Sequence, residues 1–107
     1  MADIMGMMKQ AQAMQAKMQA MQEELERTLV EGASGGGMVR ITLTAKGEMR
    51  GIAIDPSMIK VEEKEILEDL IIAAHEDARK QGERVMAEKM KTVTAGLQLP
   101  PGMKLPF

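Results

Sequence analysis

The sequence predicts an α+β protein in which two long helices flank a three-stranded antiparallel β-meander. Three observations lead to this prediction: a helical apolar repeat near the start, short alternating segments in the middle, and a longer helical repeat after Pro56. The 107 residues have room for one domain, residues 1–107, and the Gly- and Pro-rich stretches leave a small core. Burial against a second copy is therefore expected.

The first helix is expected over about residues 4–25. Its apolar residues recur in alternating steps of three and four, which is typical of a coiled-coil seam. The predicted seam, in the core or between two copies, consists of Ile4, Met7, Ala11, Met14, Met18, Met21 and Leu25. A narrow apolar stripe on a long polar helix needs a partner helix. Because the chain has 13 Met residues and one aromatic residue, Phe107, its core must be aliphatic and thioether.

Three strands are expected over about residues 27–33, 38–45 and 48–54. In the second strand, Val39, Ile41 and Leu43 alternate with polar residues, so we expect them on the buried face of the sheet or at a dimer seam. The glycine run at 35–37 is interpreted as a hairpin connection, because a phosphate-binding loop would be followed by a helix and not by a strand. Gly51 marks a bulge or a close approach in the third strand.

The second helix is expected over about residues 58–94. Asp55 before Pro56 suits a helix N-cap, and the acidic first turn complements the helix dipole. From Glu62, where the helix should be settled, to Thr94 it would extend about 45 to 50 Å at ~1.5 Å per residue, far beyond a three-stranded sheet, so its second half should project. Gly96 should end it, and residues 96–107 should form an extended, proline-bearing tail.

No catalytic, cofactor-binding or metal-binding constellation is visible, so the chain is not expected to be an enzyme. It has no Cys, and its single histidine, His75, lies along the apolar stripe of the second helix without an evident serine partner. The acidic run is interpreted as helix capping and solvation, and consists of Glu62, Glu63, Glu65, Glu68 and Asp69. Neither a secretion signal nor a membrane span is evident, so a cytoplasmic protein is expected.

The charge pattern reverses along the second helix. Although the net charge is −2, cations outnumber the two glutamates between residues 79 and 91, where the basic residues are Arg79, Lys80, Arg84, Lys89 and Lys91. Helix-terminal cations and spaced ion pairs would explain part of this cluster. The functional interpretation is that a projecting basic half-helix contacts nucleic acid. Without aromatic residues along a groove, single-stranded nucleic acid is a poor fit.

Several segments along essentially the whole length of the chain are recognisable by their order and spacing. They are Met8-Lys-Gln-Ala-Gln, Met18-Gln-Ala-Met-Gln-Glu-Glu24, Gly32-Ala-Ser-Gly-Gly-Gly37, Ile54-Asp-Pro-Ser57, Leu67-Glu-Asp-Leu70 and Leu97-Gln-Leu-Pro-Pro-Gly-Met-Lys-Leu-Pro-Phe107. Taken together, these segments resemble the YbaB/EbfC family of nucleoid-associated DNA-binding proteins.

This resemblance implies a bacterial, nucleoid-associated homodimer in which a shared β-body carries long helices that protrude like tweezers and hold double-stranded DNA. By position it implies phosphate contacts at Lys9, Lys17, Arg40, Arg50, Arg79, Lys80 and Lys89. Arg84 and Lys91 are added on local charge alone. Little base readout is expected, and no small-molecule or membrane partner. The alternative is a Met-rich dimeric adaptor or chaperone-like module, and exposure of the Met stripe would favour it.

Overall fold

The computed structural model describes residues 4–94 and confirms the predicted fold class. Helix α1 spans Ile4–Arg27, and three strands follow, β1 (Leu29–Ser34), β2 (Val39–Thr44) and β3 (Met49–Ile54). Helix α2 spans Lys64–Thr94. The tail expected at 96–107 lies outside the described residues.

Helix α2 begins at Lys64, later than the start near residue 58 that the sequence predicts. Two short 3₁₀ turns, Pro56–Met58 and Val61–Glu63, precede it. The Asp55 carboxylate accepts a hydrogen bond from the Ser57 backbone N–H at 2.9 Å. Hydrogen bonding with Ser57, through its side chain first and its backbone N–H second, lowers the pKa of Asp55 below its ordinary value. The expected N-cap therefore caps a 3₁₀ turn, after which the backbone leaves helical geometry at Ile59.

The three strands form a meander in the order β1-β2-β3, with antiparallel pairing throughout. A register shift between Thr42 and Leu43 leaves one extra residue in β3 beside Gly51, where the sequence suggested a bulge. Because residues directly opposite each other share a face, the register places Ile52 and Ile54 of β3 on the same face as Ile41 and Val39.

Helix α2 packs on that face, over β1 and β2 rather than over β3. The core here joins Val30, Val39, Ile41 and Leu43 to Ala74 and Ala78 of α2. A Cβ on Gly32 would stand 2.2 Å from the Ala74 carbonyl oxygen and 2.2 Å from the Ala78 nitrogen. The absence of a side chain at Gly32, and the small side chains opposite it, therefore allow the helix to lie directly on the strand.

A second, smaller core lies between α1 and the last part of α2. It consists of the buried residues Met21, Leu25, Ala45 and Val93, with Met14, Met18, Val85 and Met90 packed around them. We call α1 together with residues 85–94 of α2 the arm, and the sheet together with residues 64–84 of α2 the body. The molecule is elongated, measuring 74 × 26 × 16 Å.

The basic cluster of α2 was predicted to lie on a projecting half of the helix, but the helix stays against the body along the first residues of that cluster. Arg79, Gly82 and Glu83 still line a groove with the β2–β3 turn. A Cβ on Gly82 would lie 3.1 Å from the Ala45 carbonyl oxygen, so this glycine permits a close approach of the helix to the turn. The first part of the basic cluster therefore lies against the body, and only residues beyond it belong to the arm.

Candidate nucleic-acid interface

Arg79 is the most heavily paired of the predicted phosphate contacts. Its guanidinium forms ion pairs with Glu76 and Glu83, and its Nε donates to Glu76 Oε2 at 3.2 Å. The hydrogen bond from Arg79 holds the pKa of Glu76 below its ordinary value of 4.5, and the same bond raises the pKa of Arg79. Two carboxylates thus compensate the charge of Arg79 locally.

Three further candidates also have carboxylate partners. Arg40 Nη1 lies 3.1 Å from Glu31 Oε1 on the face of the sheet opposite α2, and Arg50 Nη2 lies 3.3 Å from Glu48 Oε2 beside the bulge. Lys89 pairs with Glu24 and so connects α2 to α1. Exposed ion pairs contribute about 0 to 1 kcal/mol each, so a phosphate can compete for these cations.

Four candidates have no ion pair within residues 4–94: Lys9, Lys17, Lys80 and Arg84. Lys80 and Arg84 are exposed and stand one helical turn apart on α2, so both cations project from the same side of the helix. Lys91 is exposed in the last turn of α2. The pair formed by Lys80 and Arg84 is the most available cluster of the predicted set.

The predicted cations are distributed over both parts of the molecule. Lys17 and Lys89 line one groove of about 520 Å³ between α1 and α2, whereas Arg40 and Arg50 belong to the sheet. Lys9 lies farther out on the exposed end of α1. Within residues 4–94, the predicted cations of one chain therefore lie in several separate places and do not form one continuous basic surface.

Sequence reasoning passed over three exposed cations, Arg27, Lys60 and Lys64, which also have no ion pair in the described part of the chain. Lys60 and Lys64 border an apolar groove with Met58, Val61 and Leu67. Their spacing of four residues was a visible signal, but it lies within the acidic start of the second helix, where the net sign obscured it.

The predicted seam divides into buried and exposed parts. Met21, Leu25, Val39, Ile41 and Leu43 are buried, and Met14 and Met18 are half-buried. In contrast, Ile4, Met7 and Ala11 are exposed, with Ile4 65% and Met7 64% accessible. The outer end of α1 thus shows an apolar stripe on its surface.

The exposed apolar side of β3 is a second feature that sequence reasoning missed. Ile52 is 47% and Met49 52% accessible, although the register places Ile52 on the core face of the sheet. The outer edge of β3 has no strand partner among the described residues. On β1, by comparison, α2 partly closes the outer edge, because Ala33 N donates to Asp77 Oδ2 at 3.0 Å. The alternation of Ile52 and Ile54 was the signal available in the sequence.

Other chemistry has little support from the described residues. Within residues 4–94, no group of three or more His, Asp or Glu side chains is placed to hold a metal ion. Ser34 Oγ donates to the Leu70 carbonyl oxygen at 2.6 Å, so this hydroxyl fastens β1 to α2. His75 is half-buried on α2. Over the same described range, the helices are too short or too polar to cross a membrane.

Comparisons with known family models, sequences and structures agree with one another. The model of the YbaB/EbfC DNA-binding family matches residues 1–97. A nucleoid-associated protein of Methylocella silvestris is 70% identical over 107 residues, covering 100% of both chains, and one of Agrobacterium fabrum is 58% identical with the same coverage. A crystal structure of an uncharacterised Helicobacter pylori protein superposes with a TM-score of 0.72 at 24% identity, covering 90% of this chain and 100% of that one, which shows the shared fold.

Proposed function

The chain belongs to the YbaB/EbfC DNA-binding family, and we propose that it acts as a nucleoid-associated homodimer that binds double-stranded DNA through backbone phosphates. Binding has little sequence specificity, and it alters DNA conformation and thereby gene expression in the bacterial cytoplasm. Membership of a DNA-binding family, and not of a family of enzymes, agrees with the prediction that the chain is not an enzyme.

The observation that carries this proposal is the available cation pair of Lys80 and Arg84. Both side chains are exposed, and neither has an ion pair in the part of the chain that the structure describes. Two cations one turn apart suit neighbouring phosphates on one strand of a duplex, because phosphates along a strand are only a few ångströms apart. The neighbouring Arg79 is held by Glu76 and Glu83, and serves to order the helix surface beside the pair.

The exposed side of β3 supports the homodimer. No described strand pairs with its outer edge, and Ile52 with Met49 provides an apolar surface next to that edge. An open, apolar strand edge is a template for pairing with another strand. In the dimer, β3 of each subunit lies against β3 of the other, and the two basic pairs are then presented by one rigid body.

Binding is driven by counterion release. A single chain has a net charge of −2, and its basic residues are only locally clustered. The dimer doubles these clusters, and the larger number of phosphate contacts makes electrostatic attraction strong enough to bind DNA. The single aromatic residue of the chain is Phe107, which is not part of the body, so the body has no aromatic side chain to wedge between bases. Contacts to phosphates with few base contacts account for the low sequence specificity.

Binding to a ~30 bp duplex, measured by fluorescence anisotropy across a salt series, tests the DNA proposal. The slope of the logarithm of the association constant against the logarithm of the salt concentration is negative. We expect Lys80→Ala/Arg84→Ala to make this slope about 3 to 4 units less steep, since four cations of the dimer each release about 0.9 counterion.

The matched control is Lys60→Ala/Lys64→Ala, which removes two exposed cations at the same sequence spacing from the segment that leads into α2 and from its first residue. If the first variant leaves the slope unchanged, or if both variants make it less steep by the same amount, Lys80 and Arg84 are not the phosphate contacts. Unrelated duplexes of equal length should bind within about threefold of each other.

Sedimentation equilibrium at micromolar concentration tests the dimer. Ile52→Lys should reduce the mass from two chains to one, because the lysine places a charge in the apolar contact at β3. Ile72→Lys makes the same change at a more exposed site on α2 and should leave the dimer intact. A dimer that persists in Ile52→Lys, with an unchanged circular dichroism spectrum, would exclude the β3 interface.

A second candidate function, a Met-rich adaptor, is favoured by one observation. Ile4, Met5, Met7 and Met8 are all more than half accessible at the outer end of α1, and flexible thioether surfaces suit partners of varied shape. Substitution of Met7 by Ser would weaken capture of an apolar partner but leave the salt slope of DNA binding unchanged.

A further inference from the structure

The outer end of α1 has an apolar stripe that nothing covers among residues 4–94. The heptad seam continues without interruption from Leu25 to Ile4, but only its inner half is buried. Met14 is half-buried, and every residue of the stripe beyond it, namely Ile4, Met7 and Ala11, is exposed. A contact surface therefore stops partway along a helix whose apolar pattern does not stop.

The contact stops where α2 stops. Thr92 and Val93 line a groove with Lys17, Ala20 and Met21, so the last turn of α2 lies beside the middle of α1. The two helices run antiparallel: Gly82 approaches Ala45, which is hydrogen-bonded to Thr28 just after α1, whereas Lys89, farther along α2, pairs with Glu24, earlier in α1. The next residues of the chain after Thr94 therefore start at the inner limit of the exposed stripe.

We propose that the segment Leu97–Pro101 of the same chain packs on the exposed stripe formed by Ile4, Met7 and Ala11. Leu97 and Leu99 are two residues apart, so in an extended segment both side chains point to the same side. Pro100 disfavours helical backbone at Leu99, so an extended conformation there has less entropy to lose on binding.

The reach of the segment matches the length of the stripe. Ten residues of helix separate Met7 from Lys17, about 15 Å at ~1.5 Å per residue. Five residues from Thr94 to Leu99 span about 16 Å at ~3.3 Å per residue. Leu99 thus reaches the level of Met7, and Leu97 lies nearer to Ala11.

This contact continues an existing interface and needs no second molecule. It extends the apolar cover that Val93 and Met90 provide over Met18 and Met21. An isolated helix end of about three turns is marginal in water, so apolar cover would also stabilise the helical state of residues 4–13. The proposal does not depend on DNA binding or on the β3 dimer.

Disulfide trapping tests the contact cleanly, because the chain has no cysteine of its own. In Met7→Cys/Leu99→Cys, mild oxidation at low protein concentration should link the two positions within one chain. The control Gln12→Cys/Leu99→Cys places the first thiol about 140° around the helix from position 7. We expect the first variant to form its intrachain bond at least about tenfold faster than the control, as a higher effective concentration predicts.

Three results would overturn the proposal: equal rates in the two variants, a disulfide that joins position 7 of one chain to position 99 of another, or rapid linking of two chains in Met7→Cys alone. The second would assign the stripe to the partner's tail, and the third to the partner's α1. Intact mass under non-reducing conditions distinguishes all of them.

Hydrogen exchange provides a second, independent measurement on the Cys-free chain. Leu97→Ser/Leu99→Ser should raise the exchange rates of the amides of residues 8–13 by about tenfold, since these amides lose their apolar cover. Met103→Ser/Leu105→Ser makes the same kind of change farther along the chain and should leave these rates unchanged. Unaltered exchange in the first variant contradicts the proposal.

Discussion

The body and the arm of this protein are packed by different means. In the body, α2 lies directly on β1 because Gly32, Ala74 and Ala78 remove side-chain bulk between them. In the arm, α1 and α2 pack through long side chains such as Met21 and Met90, and the ion pair of Lys89 with Glu24 joins the two helices. Where two backbones are in close contact, an added side-chain atom has no space, whereas flexible methionine side chains can repack around a substitution. The body should therefore be the rigid part and the arm the adjustable one.

Gly32→Ala is the change with the largest expected effect, and it tests the rigidity of the body. The new Cβ would lie 2.2 Å from backbone atoms of α2, which cannot move without displacing the helix. We expect the free energy of unfolding to fall by about 3 kcal/mol or more, measured by urea denaturation. Gly51→Ala is the control, since a Cβ there meets no atom within 4 Å. Equal effects in both variants would mean that helix and strand are not in close contact.

Met21→Ala and Met7→Ala compare the inner and outer ends of the arm. Met21 is buried, so its truncation should lower the free energy of unfolding by about 2 kcal/mol. Met7 is mostly accessible within residues 4–94, but the proposed contact with Leu97–Pro101 would cover it, so its truncation should cost more than the ~0.5 kcal/mol typical of an uncovered surface residue. Chemical denaturation of both variants measures the difference. A cost at Met7 approaching that at Met21 would show that the outer stripe is covered in solution.

Glu76→Gln/Glu83→Gln should release Arg79 from its two carboxylate partners and make it available beside Lys80 and Arg84. We expect DNA to bind about threefold more tightly, with a steeper salt dependence, because each subunit offers one more cation and two fewer anions. Anisotropy at two salt concentrations measures this. If affinity is unchanged, the face of α2 that carries Arg79 does not approach DNA.

Acid should weaken the Arg79 pairs by a small amount. The pKa of Glu76 is lowered in the folded chain by its hydrogen bond to Arg79, so the stabilisation is present above the ordinary pKa of 4.5 and is lost as pH falls through the lowered value. Thermal unfolding between pH 3 and pH 7 should show a drop in Tm at the acid end that is shallower in Glu76→Gln. Identical pH profiles would mean that the pair contributes nothing measurable.

Much of this organisation was predictable from local patterns. The heptad of α1, the alternation of β2 and the helical repeat of α2 each follow from side-chain periodicity, which depends only on the chain itself. The start of α2 was less predictable, because Asp55 and Pro56 favour a turn as readily as a helix start. The availability of each cation was not predictable, since Arg79 and Lys80 are adjacent in sequence, yet within residues 4–94 Arg79 has carboxylate partners and Lys80 has none.

By itself, the sequence determined the elements, their order and the side of each that is apolar, because periodicity and turn residues act over a few neighbouring positions. Only the tertiary structure decided which part of the apolar side of each helix and strand is covered by another element. Helix α2 lies over β1 and β2 and leaves Ile52 on β3 accessible. It also ends beside Lys17 and leaves Met7 exposed. Coverage depends on where distant segments meet, and no local pattern specifies that.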